Sequence, residues 1–197
     1  MATRFAKGSG ASAGCPWRET APGAIGRVGT VGRMGAGEVR PVAADDVERL
    51  IDLWEVVADE GRWIGRESVE RAAMRDEYAR WLADDDSLEI AAVLDGEVVG
   101  TLGVQVEPSG VAHLGMFLAP EARGQGLGSA LLIECIAWTR SRPDCHKVTL
   151  QHWPHNEAAH ALYRRHGFVV EGYLHRHWRR RNGELWDAVV MGLDVES

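Results

Sequence analysis

The sequence has few of the features that mark membrane, secreted or metal-binding proteins. Its 197 residues contain no run of 18 apolar residues, so no membrane-spanning helix is expected. The first residues carry charge but no apolar segment, and they do not resemble a secretory signal. Three widely spaced cysteines, Cys15, Cys135 and Cys145, fit neither a disulfide framework nor a zinc pattern. These absences favour a reduced, cytoplasmic protein without a metal site or membrane contact.

Positive charge is also scarce. The chain has 22 Lys and Arg against 29 Asp and Glu, a formal net charge of -7. Nucleic-acid-binding domains usually carry a basic face, so this balance argues against a nucleic-acid partner. An acidic protein tolerates an amine substrate better than an anionic one.

Glycine divides the chain into two parts. Residues 1–37 contain nine glycines and few large apolar residues, which predicts a disordered, glycine-rich basic tail. Met34 is a second candidate start, which leaves open whether residues 1–33 belong to the natural protein. From residue 38 to 197, strand and helix patterns alternate and predict one α/β domain.

The patterns in this domain predict the order β α α β β β α β α β β. Apolar residues recur at helical spacing after a short strand at residues 38–42, and a second helix is expected over Ser68–Ala83. Asp95-Gly96 between two apolar runs is a hairpin signal. The basic run HRHWRRR, residues 175–181, is interpreted as a solvated turn between the last two strands, or as a contact for an anionic group.

The stretch RGQGLGSALLIECIAW, residues 123–138, places three glycines against the start of a long apolar helix. The first N–H groups of a helix lack internal partners and carry partial positive charge, so they can bind a phosphate. Glycine lets the backbone approach that phosphate closely. The spacing fits neither a dinucleotide-binding fingerprint nor a P-loop. The loop is therefore either a different phosphate site or a plain connection.

Residues 123–128 do fit the pattern Arg/Gln-x-x-Gly-x-Gly/Ala. A second segment, HNEAAHALYRRHGF at residues 155–168, has Asn at a helix start, Tyr late in the helix and Gly-Phe before a strand. With both segments the chain resembles the GNAT superfamily of acetyl-CoA-dependent N-acetyltransferases. The resemblance implies a mixed, mostly antiparallel sheet flanked by about four helices, with splayed fourth and fifth strands. It also implies acetyl transfer from acetyl-CoA to a primary amine, without a metal.

The resemblance implies a set of site residues. The pyrophosphate would lie on the loop residues, and the pantetheine arm would pair with the fourth strand, where a backbone N–H near Met116 or Phe117 would stabilise the oxyanion. Tyr163 would be the general acid, and Asn156 would cap its helix and contact the cofactor. The implied cofactor-binding residues are Met116, Phe117, Leu118, Arg123, Gly124, Gln125, Gly126, Leu127, Gly128, Ser129, Asn156 and Tyr163.

The general base is where the sequence departs from the family. Many members place a Glu on the fourth strand, whereas the strand at Val111–Ala119 contains no acid. His113 is one candidate, although alternation places it on the opposite face from Ala112 and Leu114. Glu60, in the loop between the first two helices, is another. A water chain without a single base is the third alternative.

Two broader questions stay open in the sequence. The acceptor is either a small molecule or a protein N-terminus. The missing strand acid also allows a different class, a non-catalytic acyl-CoA-binding sensor or interaction module. A homodimer is expected only by analogy with relatives.

Overall fold

The computed structural model describes residues 37–196, and its elements follow the predicted order. The tail prediction for residues 1–37, and the question of Met34, lie outside the described residues except for Gly37, which begins the first strand. The strands are β1 (Gly37–Pro41), β2 (Ser87–Leu94), β3 (Glu97–Val106), β4 (Val111–Leu118), β5 (Lys147–His152), β6 (Val169–Arg179) and β7 (Leu185–Asp194). The helices are α1 (Val47–Asp59), α2 (Arg71–Leu82), α3 (Leu127–Arg140) and α4 (Glu157–Arg165).

All seven strands form one sheet in the order β1-β2-β3-β4-β5-β7-β6. Every neighbouring pair is antiparallel except β4 and β5, which run parallel. This confirms the predicted mixed, mostly antiparallel sheet with four helices. The β4–β5 ladder pairs only 111–113 with 147–149. Beyond it the two strands diverge, as the resemblance implied, and we call the gap between their C-terminal halves the fork.

The two faces of the sheet are covered by different helices. The ring of Trp54 in α1 packs on Phe117 of β4 at a centroid distance of 4.6 Å, so odd-numbered residues of β4 face α1. A Cβ atom on Gly128 of α3 would contact the side chains of Met116 and Leu118, so even-numbered residues face α3. Buried Val, Leu, Ile and Ala side chains fill both layers and hold β4 in place.

The second helix begins later than the sequence pattern predicts. It starts at Arg71 instead of Ser68, because the side chain of Glu70 accepts hydrogen bonds from the backbone N–H groups of Ala72 and Ala73. A carboxylate at this position satisfies unpaired helix donors and complements the helix dipole. The residues between α1 and α2 therefore form a loop, which contacts Arg123 and Arg180.

The basic run is not the turn that the sequence suggested, although most of its side chains are exposed to solvent. Strand β6 extends through it to Arg179, and the turn comes after Arg180. Arg180 itself is buried, because it contacts the α1–α2 loop instead of solvent. Among the described residues, no helix is long and apolar enough to cross a membrane.

Candidate functional site: the fork and the glycine loop

The fork leaves part of the β4 backbone without a strand partner. The N–H of Ala119 donates to Val99 O at 2.8 Å, so odd-numbered residues of β4 hydrogen-bond to β3. The alternating groups of Met116 and Leu118 therefore point toward the fork, where β5 has diverged. The backbone of Phe117 faces β3 and its ring faces Trp54. Met116 and Leu118, rather than Phe117, thus present main-chain groups to a ligand in the fork.

The glycine loop lies next to the fork and connects β4 to α3. Gly124 and Gly126 have φ of +75° and +86°, a left-handed conformation that disfavours other residues. In the described part of the chain, no carbonyl or side chain accepts a hydrogen bond from the backbone N–H groups of residues 124–129. A Cβ at either glycine would meet no atom within 4 Å. The head of α3 is therefore an open cluster of donors, suited to an anion.

Gly128 and Gln125 differ from these two glycines in what they contact. A Cβ on Gly128 would lie 3.1 Å from Leu162 and 3.4 Å from Met116, so this glycine allows α3 to approach α4 and β4 closely. The Gln125 side chain donates to Glu121 O at 2.7 Å and closes the loop from outside. Leu127 is buried and Ser129 lies in the first turn of α3.

Arg123 ties the loop to two other elements. Its Nε donates to Leu118 O at 3.0 Å, and its two terminal nitrogens bind the Glu60 carboxylate at 2.9 and 2.5 Å. Glu60 follows the end of α1 and also accepts from Trp63 Nε1 at 2.7 Å. The hydrogen bonds from Arg123 lower the pKa of Glu60. A carboxylate held this way is a weak base, so its geometry suits a positioning role.

Tyr163 and Asn156 both lie on α4, beside the fork. The Tyr163 ring is buried against His152 and Phe168, at centroid distances of 6.0 and 5.9 Å. Burial raises the pKa of its hydroxyl, which makes no hydrogen bond to another described residue. Asn156 caps α4 by accepting from Ala159 N at 3.1 Å, which leaves its amide N–H groups for a ligand.

His113 lies before the fork, on the α1 face, where β4 is still paired with β5. Its side chain is more than half exposed, and its Nε2 lies 3.5 Å from Glu107 Oε1. Ala112 and Leu114, on the other face, are buried. Among residues 37–196, no three His, Cys, Asp or Glu side chains are grouped as a metal site requires.

Sequence reasoning missed the clamp that fixes the α1–α2 loop. Arg180 donates to Ile64 O at 3.1 Å and Gly61 O at 3.2 Å, and it pairs with Glu67 at 3.2 Å. Its guanidinium also lies over the ring of Trp186, 4.4 Å from the centroid. In the sequence, Arg180 is one arginine in a basic run, and such a run does not indicate which of its side chains is buried. The clamp holds the loop as a fixed wall beside the fork.

The chain matches known proteins over most of this region. The profile of the Acetyltransferase (GNAT) family matches residues 51–168, more than half of the chain. The L-amino acid N-acetyltransferase AaaT of Escherichia coli is 33% identical over 115 residues, which cover 56% of this chain and 70% of that protein. A putative ribosomal protein bS18-alanine N-acetyltransferase of Bacillus subtilis is 22% identical over 81% of this chain and 96% of that protein.

Solved structures share the fold. A phosphinothricin acetyltransferase from Sinorhizobium meliloti, solved with acetyl-CoA, superposes with a TM-score of 0.73 at 19% identity, covering 81% of this chain and 89% of that one. A ribosomal-protein-alanine N-acetyltransferase from Brucella melitensis superposes with a TM-score of 0.72 at 25% identity, covering 79% of this chain and 98% of that one. With the fork, the glycine loop and the family match in agreement, the chain belongs to the acetyltransferase (GNAT) family and is an acyltransferase.

Proposed function

We propose that this enzyme transfers an acetyl group from acetyl-CoA to a primary amine of a small molecule, by direct attack of the amine on the thioester. The observation that carries the proposal is the cluster of unpartnered N–H groups at residues 124–129, directly beside the fork. These donors and the dipole of α3 suit the coenzyme A diphosphate. Arg123 holds the loop in shape, and the free amide of Asn156 binds the cofactor arm.

The fork suits the remainder of the cofactor. The carbonyl of Met116 and the N–H of Leu118 pair with the pantetheine amides, which is strand addition applied to a cofactor. The same pairing directs the thioester along β4. The N–H of Met116 then stabilises the negative charge that collects on the carbonyl oxygen during attack. Phe117 contributes shape, because its ring packs on Trp54.

Tyr163 supplies a proton to the leaving thiolate. A thiol has an ordinary pKa near 8.5, and burial keeps the Tyr163 hydroxyl protonated well above neutral pH. Transfer of this proton to sulfur leaves a phenolate, and the second amine proton, lost as the amide forms, restores the hydroxyl. The hydroxyl has no competing partner among the described residues, so it is free to donate.

The clamped loop favours a small acceptor over a protein. Arg180 fixes the α1–α2 loop against the last hairpin, so the acceptor side has a rigid wall. The relative from Escherichia coli is named as an L-amino acid N-acetyltransferase, and this supports the α-amino group of an amino acid as the acceptor. The Bacillus and Brucella relatives support a second candidate, a protein N-terminal alanine. Both described cysteines, Cys135 and Cys145, are free and buried, in keeping with the cytoplasmic setting that we propose.

The test is release of free coenzyme A thiol from acetyl-CoA, with mass analysis of the acetylated product. The panel holds the L-amino acids, polyamines and a peptide with an N-terminal alanine. We expect kcat/KM for one class of free amino acid to exceed that for the peptide by at least about tenfold, or 1.4 kcal/mol. A preference for the peptide would favour the second candidate. Tight acetyl-CoA binding without release for any amine would favour the non-catalytic module.

A further inference from the structure

The acceptor side of β4 has an empty position where a base is needed. Gly115 is exposed on the α1 face, just beyond the last β4–β5 pair. A Cβ atom built on it would meet no atom within 4 Å, so the space above it is open. Strand β4 itself carries no acid. A carboxylate that serves this space therefore has to come from another element.

Glu89 of β2 extends toward this space across β3. It pairs in register with Gly103, and Gly103 pairs with Gly115, so the three residues form one row across the sheet. A Cβ added to Gly103 would lie 2.1 Å from Glu89 Oε1, so the carboxylate occupies the place of the missing side chain. Thr101 Oγ1, which donates to Ile90 O at 2.8 Å, lies 3.3 Å from Glu89 Oε2 and borders the carboxylate on one side.

Gly103 and Gly115 are neighbours on adjacent strands and have no side chains, so a path stays open from the Glu89 carboxylate to the fork. Adjacent strands are about 4.8 Å apart, so a carboxylate above Gly103 lies one strand spacing from Gly115. We propose that Glu89 is the general base of the acetyl transfer and takes a proton from the acceptor ammonium in the space above Gly115. The transfer runs directly or through one intervening water. This assignment rests on the proposed amine acceptor.

The step is balanced with the groups already named. Glu89 takes one proton from the ammonium, and the freed lone pair forms the new C–N bond. The C–S bond then breaks, and Tyr163 protonates the sulfur. Glu89 releases its proton to solvent, and the second amine proton, lost as the amide forms, returns Tyr163 to its neutral form. The net products are the amide, free thiol and one proton.

The surroundings of Glu89 suit a base that works at neutral pH. Its pKa is raised to about 7, chiefly by burial; the Thr101 hydroxyl opposes this rise and the negative charge of Glu77 adds to it. The charge of Glu77 in α2 acts on Glu89, and the charges of Glu89, Glu77 and Arg66 act on the neighbouring Tyr78. His113 of β4 lies on the same face of the sheet, two residues before Gly115 along its strand. Arg66 pairs with Glu77 at 2.8 Å, so its charge is already engaged.

The competing bases are less well placed. Glu60 is bound by Arg123 and Trp63, which keeps it ionised and engaged. His113 lies where β4 and β5 are still paired, and its ring is near Glu107. Of these three candidates, Glu89 is the one that combines a carboxylate in a defined position with an open path to the fork.

The first experiment is a pH profile of kcat/KM for Glu89→Gln and wild type, with the best amine of the panel. We expect wild type to lose activity as pH falls through about 7. Glu89→Gln should be about 100-fold slower and should lose that dependence. The matched control is Glu97→Gln, an exposed residue of β3 in the same hairpin, which should behave as wild type. An unchanged rate and profile in Glu89→Gln, or loss of the dependence in His113→Gln instead, would overturn the proposal.

A second measurement needs no known acceptor. Wild-type protein and Glu89→Gln, both carrying ¹³C-labelled glutamate carboxyl groups, are titrated by NMR. We expect one glutamate carboxyl to titrate near pH 7 in wild type and to be missing from Glu89→Gln. A wild-type set in which all carboxyls titrate below about pH 5.5, or a signal near pH 7 that persists in Glu89→Gln, would overturn the proposal. If no amine in the panel is acetylated, the acceptor proposal has failed, and this titration still decides whether Glu89 is a base poised near neutral pH.

Discussion

Arg123 and Glu60 are separated by 63 residues in the sequence, yet they form a two-point ion pair between the glycine loop and the end of α1. The pair connects the glycine loop, where we propose that the diphosphate binds, to the α1–α2 loop, where we propose that the acceptor binds. Arg123 also holds Leu118 O, so a shift at Glu60 reaches β4 through one side chain.

Glu60→Gln should weaken acetyl-CoA binding without slowing chemistry. The loss of charge removes the two-point pair, and we expect KM for acetyl-CoA to rise several-fold while kcat stays within about twofold. Steady-state kinetics at saturating amine measure both. A 100-fold fall in kcat with an unchanged KM would instead identify Glu60 as the general base.

The same pair has a defined pH dependence. The folded-state pKa of Glu60 lies below the ordinary value of 4.5. The ion pair therefore stabilises the fold fully above pH 4.5, and this contribution is lost as the pH falls through the lowered pKa. Both side chains are partly exposed, so the contribution is about 1 kcal/mol. Denaturant unfolding of wild type and Glu60→Gln at pH 7 and pH 3 should show a difference that narrows in acid.

Gly126→Asp should abolish cofactor binding. The carboxylate would point into the open space before α3 and repel a diphosphate, so the Kd for acetyl-CoA should rise at least about tenfold. Gly96→Asp is the matched control, because Gly96 has the same φ of +86° and also has no neighbour within 4 Å of its Cβ position. Calorimetric titration of both variants with acetyl-CoA measures the two Kd values. A rise in Gly126→Asp alone is then due to charge at the site and not to backbone strain. Equal affinities would contradict the phosphate site.

Tyr163→Phe should lower kcat by about 100-fold and leave KM for acetyl-CoA nearly unchanged. The ring remains to pack on Phe168, so the melting temperature should change little. Tyr173→Phe, on the exposed side of β6, serves as the control and should keep full activity. Full turnover by Tyr163→Phe would remove this hydroxyl from the mechanism.

Arg180→Met should loosen the acceptor wall. The change leaves Glu67 without its buried partner, and we expect a loss of about 2 kcal/mol in the free energy of unfolding. KM for the amine should rise, while acetyl-CoA binding stays the same because the glycine loop is untouched. Arg179→Met, an exposed neighbour on β6, is the control. A coupled rise in the acetyl-CoA Kd would show that the wall and the cofactor site are one unit.

Glu89→Gln should make the protein more stable above neutral pH. A raised folded-state pKa means that the folded protein holds a proton that the unfolded chain releases above pH 4.5, so stability declines from there to about pH 7. The amide removes this decline, and the gain is on the order of 1–3 kcal/mol at pH 8. Thermal melts at pH 5 and pH 8 measure it, with Glu97→Gln as control. If Glu89→Gln melted at a higher temperature than wild type at pH 5 but not at pH 8, the result would contradict the assignment.

The order of the elements and the position of the glycine loop could be predicted, because both depend on local pattern. Apolar periodicity predicts α1 and α3, and Gly126 indicates the loop without any information about tertiary contacts. The contact between Glu89 and Gly103 could not be predicted, because it depends on the register between two strands. The Arg123–Glu60 pair and the burial of Arg180 depend likewise on how distant segments meet. A glutamate inside an otherwise apolar strand was the one local sign of Glu89.

The divergence of β4 from β5 leaves a strand edge in the middle of the sheet. In the absence of coenzyme A, the main-chain groups of Met116 and the N–H of Leu118 form a short open edge, and open edges invite pairing with other chains. In the complex that we propose, the pantetheine arm takes the place of a missing length of strand. Purified enzyme should accordingly stay monodisperse longer when stored with coenzyme A than when stored alone.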